Sequence, residues 1–142
     1  MSYETILYEV DDRVAHITLN QPEKRNALNW QMLSELSDAL KKAEIDKSAR
    51  VIVIKGAGAC FCSGHNVAEM GEAPKHIDER KWSEIAMSGE GDDLGLSVWD
   101  SRAQVQGHIE IPLEIWNNWK PVIAQVHAHC LGGGSGIALA CD

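Results

Sequence analysis

Apolar and polar positions alternate near the start of the chain. Ile6, Tyr8 and Val10 share one face of an extended segment; after Asp11-Asp12, Ala15, Ile17 and Leu19 take one face while Val14, His16, Thr18 and Asn20 take the other. A period of two on both sides of a polar turn predicts a β-hairpin, ended by Pro22, which has no N–H to give a ladder. The period then changes. Trp30, Leu33, Leu36, Leu40 and Ala43 recur at helical spacing, and Asn29 stands where its side chain can cap the first turn, so a helix with a core-facing stripe is predicted. Val51-Ile52-Val53-Ile54 is apolar on both faces, as in a parallel strand covered by helices, and Gly56 and Gly58 open a loop behind it.

The signal weakens past Met70. Glu79 to Met87 reads as a short helix, and Gly89, Gly91 and Gly95 around Asp92-Asp93 as an acidic loop, so 71–119 is expected to be a variable and poorly ordered insertion. Within it, Ile109, Leu113 and Trp116 fit one helical face, with Pro112 in the first turn. A strand at 121–127 then runs into Gly132-Gly133-Gly134, which opens an apolar helix from Gly133 to Cys141. Periodicity supports the α/β class and a parallel sheet, and no more.

The glycines carry the chemistry. Three in a row at a strand-to-helix turn leave bare backbone N–H groups where a ligand oxygen can approach closely. A second turn, Phe61-Cys62-Ser63-Gly64-His65-Asn66, follows the strand at 51–54. If the two strands are neighbours, one N–H from each turn converges on the same point, which is how an oxyanion is held.

Three motifs stand in a fixed order: Asn20-Gln21-Pro22-Glu23-Lys24-Arg25-Asn26-Ala27-Leu28-Asn29, then Phe61-x-x-Gly64-x-Asn66, then Lys120-Pro121-Val122-Ile123-Ala124 with the glycine triplet. In this order they resemble the crotonase (enoyl-CoA hydratase/isomerase) family over residues 3 to 142, with weak matching between about 71 and 119. The resemblance implies a crotonase-like spiral of strand-strand-helix units, present here only through the glycine-rich helix, and an acyl-CoA thioester as partner, with coenzyme A entering as part of the substrate and no separate cofactor. It implies that the backbone N–H groups of His65 and Gly133 stabilise a thioester enolate. It places the CoA moiety along Lys24, Arg25 and Ala27, past Ala59, Phe61, Gly64 and Asn66, with Gly132 beside the carbonyl. Family members form trimers or hexamers, so a homo-oligomer is expected.

Composition bounds the rest. The chain has 142 residues, 44% of them hydrophobic and 24% charged, an ordinary composition for one soluble domain. Met1-Ser2-Tyr3-Glu4 starts no basic and apolar leader, and no apolar run approaches a membrane span, so a cytoplasmic location without membrane contact is expected. Cys60, Cys62, Cys130 and Cys141 lack paired zinc spacings and read as small buried residues. A net charge of −8 argues against a nucleic-acid partner. It also requires that any attraction for CoA phosphates be local. Lys24 and Arg25 form one basic spot and Lys120 another, although Lys24 and Arg25 read equally well as a solvated surface.

The remaining polar candidates carry less. The His65 imidazole invites a role as base, but the motif uses its backbone. Asn66 stands where relatives commonly carry aspartate and reads as a turn-pinning side chain. His108 starts the helix at 109–116, and His127 and His129 share a strand face without completing a metal set. Ser135 lacks the glycine that a nucleophile elbow requires at Ile137. Gly136 matters most: resembling hydratases carry there one of two water-activating carboxylates, and the second belongs to sequence beyond Asp142. Two function classes follow, an acyl-CoA enzyme represented by its N-terminal part and a noncatalytic CoA-thioester binding or assembly module. The apolar helix at the end of the sequence is expected to need a cover, from further chain or from self-association.

Overall fold

The computed structural model describes residues 3–66 and 109–142. Its centre is a four-stranded sheet in the order β1 (Ile6–Asp11), β2 (Val14–Leu19), β3 (Val51–Gly56), β4 (Val122–Gln125). β1 and β2 form the expected hairpin, with Ile6 opposite Leu19 and Asp11 opposite Val14. Asp12 and Arg13 make its turn with φ of 41° and 66°, the positive values that tight hairpins require. β2, β3 and β4 are mutually parallel, in registers that set Ile52 beside Ala15 and Val122 beside Ile52.

α1 (Trp30–Ile45) covers one face of this sheet and connects β2 to β3. The Asn29 side chain accepts the Met32 N–H at 2.8 Å, capping the helix as the sequence indicates. Leu33, Leu36, Leu40 and Ala43 are buried, together with Met32 and Ala39, and they pack against Ala15, Ile17, Leu19, Ile52, Ile54 and Val122. Two further ties hold α1 in place. Glu35 accepts Glu4 N, Thr5 N, Thr5 Oγ1 and Gln31 Nε2, fastening the start of the chain to the helix. Lys120 Nζ donates to the carbonyls of Ala43 and Asp46 at the helix C-terminus. Lys120 is therefore committed to a helix end, where the macrodipole favours a cation, and the expectation that it forms a second basic spot for a ligand is corrected.

α2 spans 109–116. Its buried residues are Ile111 and Ile115, while Ile109, Leu113 and Trp116 are exposed, so the apolar face assigned from spacing is the outer one. Both sets satisfy helical periodicity, and only packing chooses between them. Residues 109–119 are the described end of the segment expected to be a variable insertion. The helix expected at 79–87, the acidic loop and His108 lie outside the described residues. β4 ends at Gln125, two residues short of the expected 127, and α3 (Gly133–Ala140) follows the glycine turn.

Candidate functional site

The carboxyl ends of three parallel strands lead into three turns that continue the sheet as an irregular ladder. Ligands of open parallel sheets bind in this position, because the strand ends deliver loops and helix N-termini to one side. After β2 the chain makes a 3₁₀ turn at Pro22–Lys24, then takes φ of 54° at Arg25 and 52° at Asn26. After β3 comes the 61–66 segment, and after β4 comes 127–132. The middle segment is bonded to both others. On one side Ser63 N donates to Arg25 O, Leu28 N to Gly64 O and Asn66 N to Leu28 O; on the other, Phe61 N donates to His127 O, Cys62 N to His129 O and Leu131 N to Cys62 O. His65 and Leu28 form one parallel bridge, and Cys62 and Cys130 form another. The two glycine turns lie side by side because β3 and β4 are adjacent.

Asn26 organises this junction. Its side chain is fully buried, its Oδ1 accepts Gln21 N, and its Nδ2 lies 2.9–3.1 Å from the carbonyls of Ala57, Cys60 and Phe61. An amide is the one short side chain that can both accept and donate from a left-handed backbone position at modest cost. Sequence reasoning assigned turn-pinning to Asn66; among the described residues Asn66 contributes its backbone N–H to Leu28 O, and the Asn26 side chain pins the junction. The available signal was an asparagine closing a proline-started turn, where a positive φ is common.

Gly64 has φ of 98°, and a Cβ on it would lie 3.1 Å from Leu131 O, so both conformation and contact demand glycine. Gly132 has φ of 50° and forms the N-cap of α3. Gly133 follows as the first helical residue, and its N–H has no hydrogen-bond partner among the described residues, as expected for the first donors of a helix. A Cβ on Gly133 would run into the His65 imidazole, so the ring lies directly across the Gly133 backbone. Gly134 differs in role: a Cβ there would sit 2.7 Å from Cys62 Cβ, so this glycine serves close packing of α3 on the 61–66 segment. At Gly136 the nearest atom among the described residues is Pro112 Cγ, 3.8 Å from such a Cβ, ordinary contact distance.

The other predicted site residues divide by exposure. Lys24, Arg25 and Ala59 are exposed, and Ala27 is half-buried in the turn that Asn26 holds. Phe61 is fully buried in the core cluster. His127 and His129 are exposed beyond the end of β4, their carbonyls receiving Phe61 and Cys62, and the His127 ring contacts Gly58 O at 3.0 Å. The shared strand face expected for them is lost because the strand stops at Gln125. Ser135 Oγ is used locally, donating to Cys130 O at 2.8 Å. The Cys62 thiol accepts Gly64 N–H at 3.3 Å, and burial pushes its pKa up to about 11, so it stands neutral behind the turn at ordinary pH.

Comparison with known proteins agrees with this fold. The family model for enoyl-CoA hydratase/isomerase matches residues 9–88, more than half of the chain. The chain is similar to mouse mitochondrial Delta(3,5)-Delta(2,4)-dienoyl-CoA isomerase, at 34% identity over 99% of this chain and 40% of that protein. It is also similar to a probable enoyl-CoA hydratase of Mycobacterium leprae, at 32% identity over all of this chain and 46% of that one. Among solved structures, an enoyl-CoA hydratase/isomerase from Xanthobacter autotrophicus Py2 superposes with a TM-score of 0.74 and 34% identity, over 99% of this chain and 45% of the other. The chain thus spans less than half the length of these relatives. The family model over residues 9–88 covers more than half of this chain, and the chain belongs to the enoyl-CoA hydratase/isomerase family.

Proposed function

We propose that this chain binds the thioester carbonyl of an acyl-CoA between the backbone N–H groups of His65 and Gly133 and stabilises the enolate that forms there. The observation that carries the proposal is the bonding of the 61–66 turn to the 127–131 segment, which sets His65 beside the N-terminus of α3. Negative charge on a thioester oxygen is favoured by fixed donors and by the positive end of a helix, neither of which must reorganise during the reaction. One such donor lowers the cost of the charge by roughly 3–4 kcal/mol. The CoA moiety would run from Lys24 and Arg25 past Ala27 and the Ala59–Gly64 loop, with Asn66 and Gly132 flanking the carbonyl.

Enolate stabilisation is half of a hydratase. The other half is a positioned acid/base, worth about 10²–10⁴-fold, and Gly136 offers none at the position where resembling hydratases carry a carboxylate. That glycine favours a second reading, in which these 142 residues bind CoA thioesters without turning them over. Two measurements test the pair of readings. Titration with acetoacetyl-CoA, whose enol form is stable, should show binding that Gly133→Pro abolishes while circular dichroism is retained; binding unaffected by that substitution overturns the carbonyl site. Loss of the conjugated absorbance of crotonyl-CoA should be negligible for the 142-residue chain, and robust hydration surviving Gly133→Pro would refute both the mechanism and the residues assigned to it.

A further inference from the structure

We propose that Cys62 and Cys130 are a thiol–disulfide pair, a modification site for low-molecular-weight disulfides whose oxidation loosens the paired glycine turns. The two residues are bridge partners on adjacent parallel segments, with Cys62 N donating to His129 O and Leu131 N to Cys62 O on either side of the pair. Neighbouring strands lie about 4.8 Å apart. A disulfide accepts Cα separations of roughly 4.4–6.8 Å, so the backbone already provides the span. In-register residues of a parallel pair point to the same face, and both side chains pack on the same core.

The pair differs in access. Cys62 is fully buried and Cys130 is half-buried, so Cys130 meets a reagent first. Its thiolate attacks one sulfur of the small disulfide, the S–S bond of the reagent breaks, and one thiolate leaves. Cys62 then loses its proton to solvent and attacks the Cys130 sulfur, expelling the second small thiolate. The two cysteines are oxidised, the reagent is reduced, and two small thiols are released. Attack by Cys62 is slow for a thiol of high pKa, but it is intramolecular, which compensates through proximity.

Oxidation reaches the turns through the Cys62 sulfur. In the reduced protein this atom accepts Gly64 N–H, one residue before His65, and it lies under Gly134, one residue after Gly133. Swinging it toward Cys130 takes away the Gly64 acceptor and disturbs the packing at the start of α3. The effect on ligands rests on the proposed carbonyl site, whereas formation of the crosslink does not.

The experiment incubates the purified protein with oxidised glutathione over a range of redox ratios, blocks the remaining thiols, and maps peptides by mass spectrometry without reduction. A Cys62–Cys130 crosslink, lighter than the thiol form by two hydrogen atoms and reversed by dithiothreitol, is expected. It should be absent in Cys130→Ser, and also in Cys62→Ser, whose hydroxyl can still accept Gly64 N–H. A stable Cys130–glutathione adduct without crosslink, or pairing with Cys60 or Cys141, would overturn the pair. Acetoacetyl-CoA should bind the oxidised protein about tenfold more weakly, within the usual range for coupled sites, while oxidant leaves Cys130→Ser binding unchanged. Equal affinity in both redox states overturns the coupling; absence of binding in the reduced protein means instead that the carbonyl site itself has failed.

Discussion

At the scale of single residues, this site depends on which atoms are missing as much as on which are present. Gly133 leaves room for the His65 imidazole across its backbone, so Gly133→Ala sets a methyl against the ring. We expect this substitution to cost about 1–3 kcal/mol, as overpacking does, and His65→Ala to recover most of the loss. Urea unfolding of the four members of that cycle is the check; additive costs would mean that the ring is not what Gly133 accommodates. Asn26 is the opposite case, a residue whose side-chain polar atoms are both used. Asn26→Ala strands Gln21 N and three carbonyls and leaves alanine at a φ of 52°. Unsatisfied buried groups cost about 1–3 kcal/mol each, so a loss of more than 3 kcal/mol is expected, about the same in Asn26→Asp, which cannot donate. A midpoint within experimental error of the original protein would refute the organising role. Of these residues, Gly133 was legible from sequence as part of an ordered motif. Asn26 was visible only as a motif letter, because the three carbonyls it holds lie more than thirty positions away.

At the scale of elements, α1 holds the N-terminal hairpin through one carboxylate. Burial alone would raise the Glu35 pKa, but four hydrogen bonds from Thr5 Oγ1, Glu4 N, Gln31 Nε2 and Thr5 N outweigh it and leave the pKa below its ordinary value. A carboxylate with a depressed pKa in the folded state stabilises fully above its unfolded value of about 4.3, and that stability is lost as pH falls through the folded pKa. Unfolding free energy should therefore drop between pH 5 and strongly acid conditions, about 5 being one unit or less above the unfolded value. Glu35→Gln should be less stable at neutral pH and have a flatter acid limb; an unchanged limb would exclude Glu35 as its source. The helix, its cap and its stripe were readable because helical period and capping are local. The Glu35 clamp was not, since a glutamate on a helix reads as surface until the chain start is packed against it. α2 illustrates the same limit: Ile109, Leu113 and Trp116 match helical spacing as well as Ile111 and Ile115 do, and the core receives the second set.

At the scale of the whole molecule, several large apolar side chains among the described residues are exposed. Leu113 and Trp116 are 52% and 75% exposed on α2, Trp119 is 90% exposed after it, and Ile123 and Leu139 are exposed on β4 and α3. Surfaces of this kind associate. Sedimentation velocity should show concentration-dependent self-association that Leu113→Glu with Trp116→Glu reduces, and a concentration-independent monomer would count against the expected homo-oligomer. Charge belongs to this scale too: with −8 overall, the proposed attraction of CoA for Lys24 and Arg25 is a local one, so reversing both charges should weaken acetoacetyl-CoA binding more at low salt than at high salt. Equal loss at both salt levels would remove phosphate from the account of these residues. The amino-acid sequence by itself determined the hairpin, the capped α1, the parallel character of β3 and the two glycine turns, because alternation, helical period and the need for positive φ are properties of a few consecutive residues. Tertiary structure decided that the Asn26 side chain ties the turn after β2 to the segment after β3, that Lys120 closes the C-terminus of α1, and that Cys62 and Cys130 are bridge partners. Each of those outcomes rests on contacts between segments far apart in the chain, which become fixed only when β2, β3 and β4 take their order in the sheet.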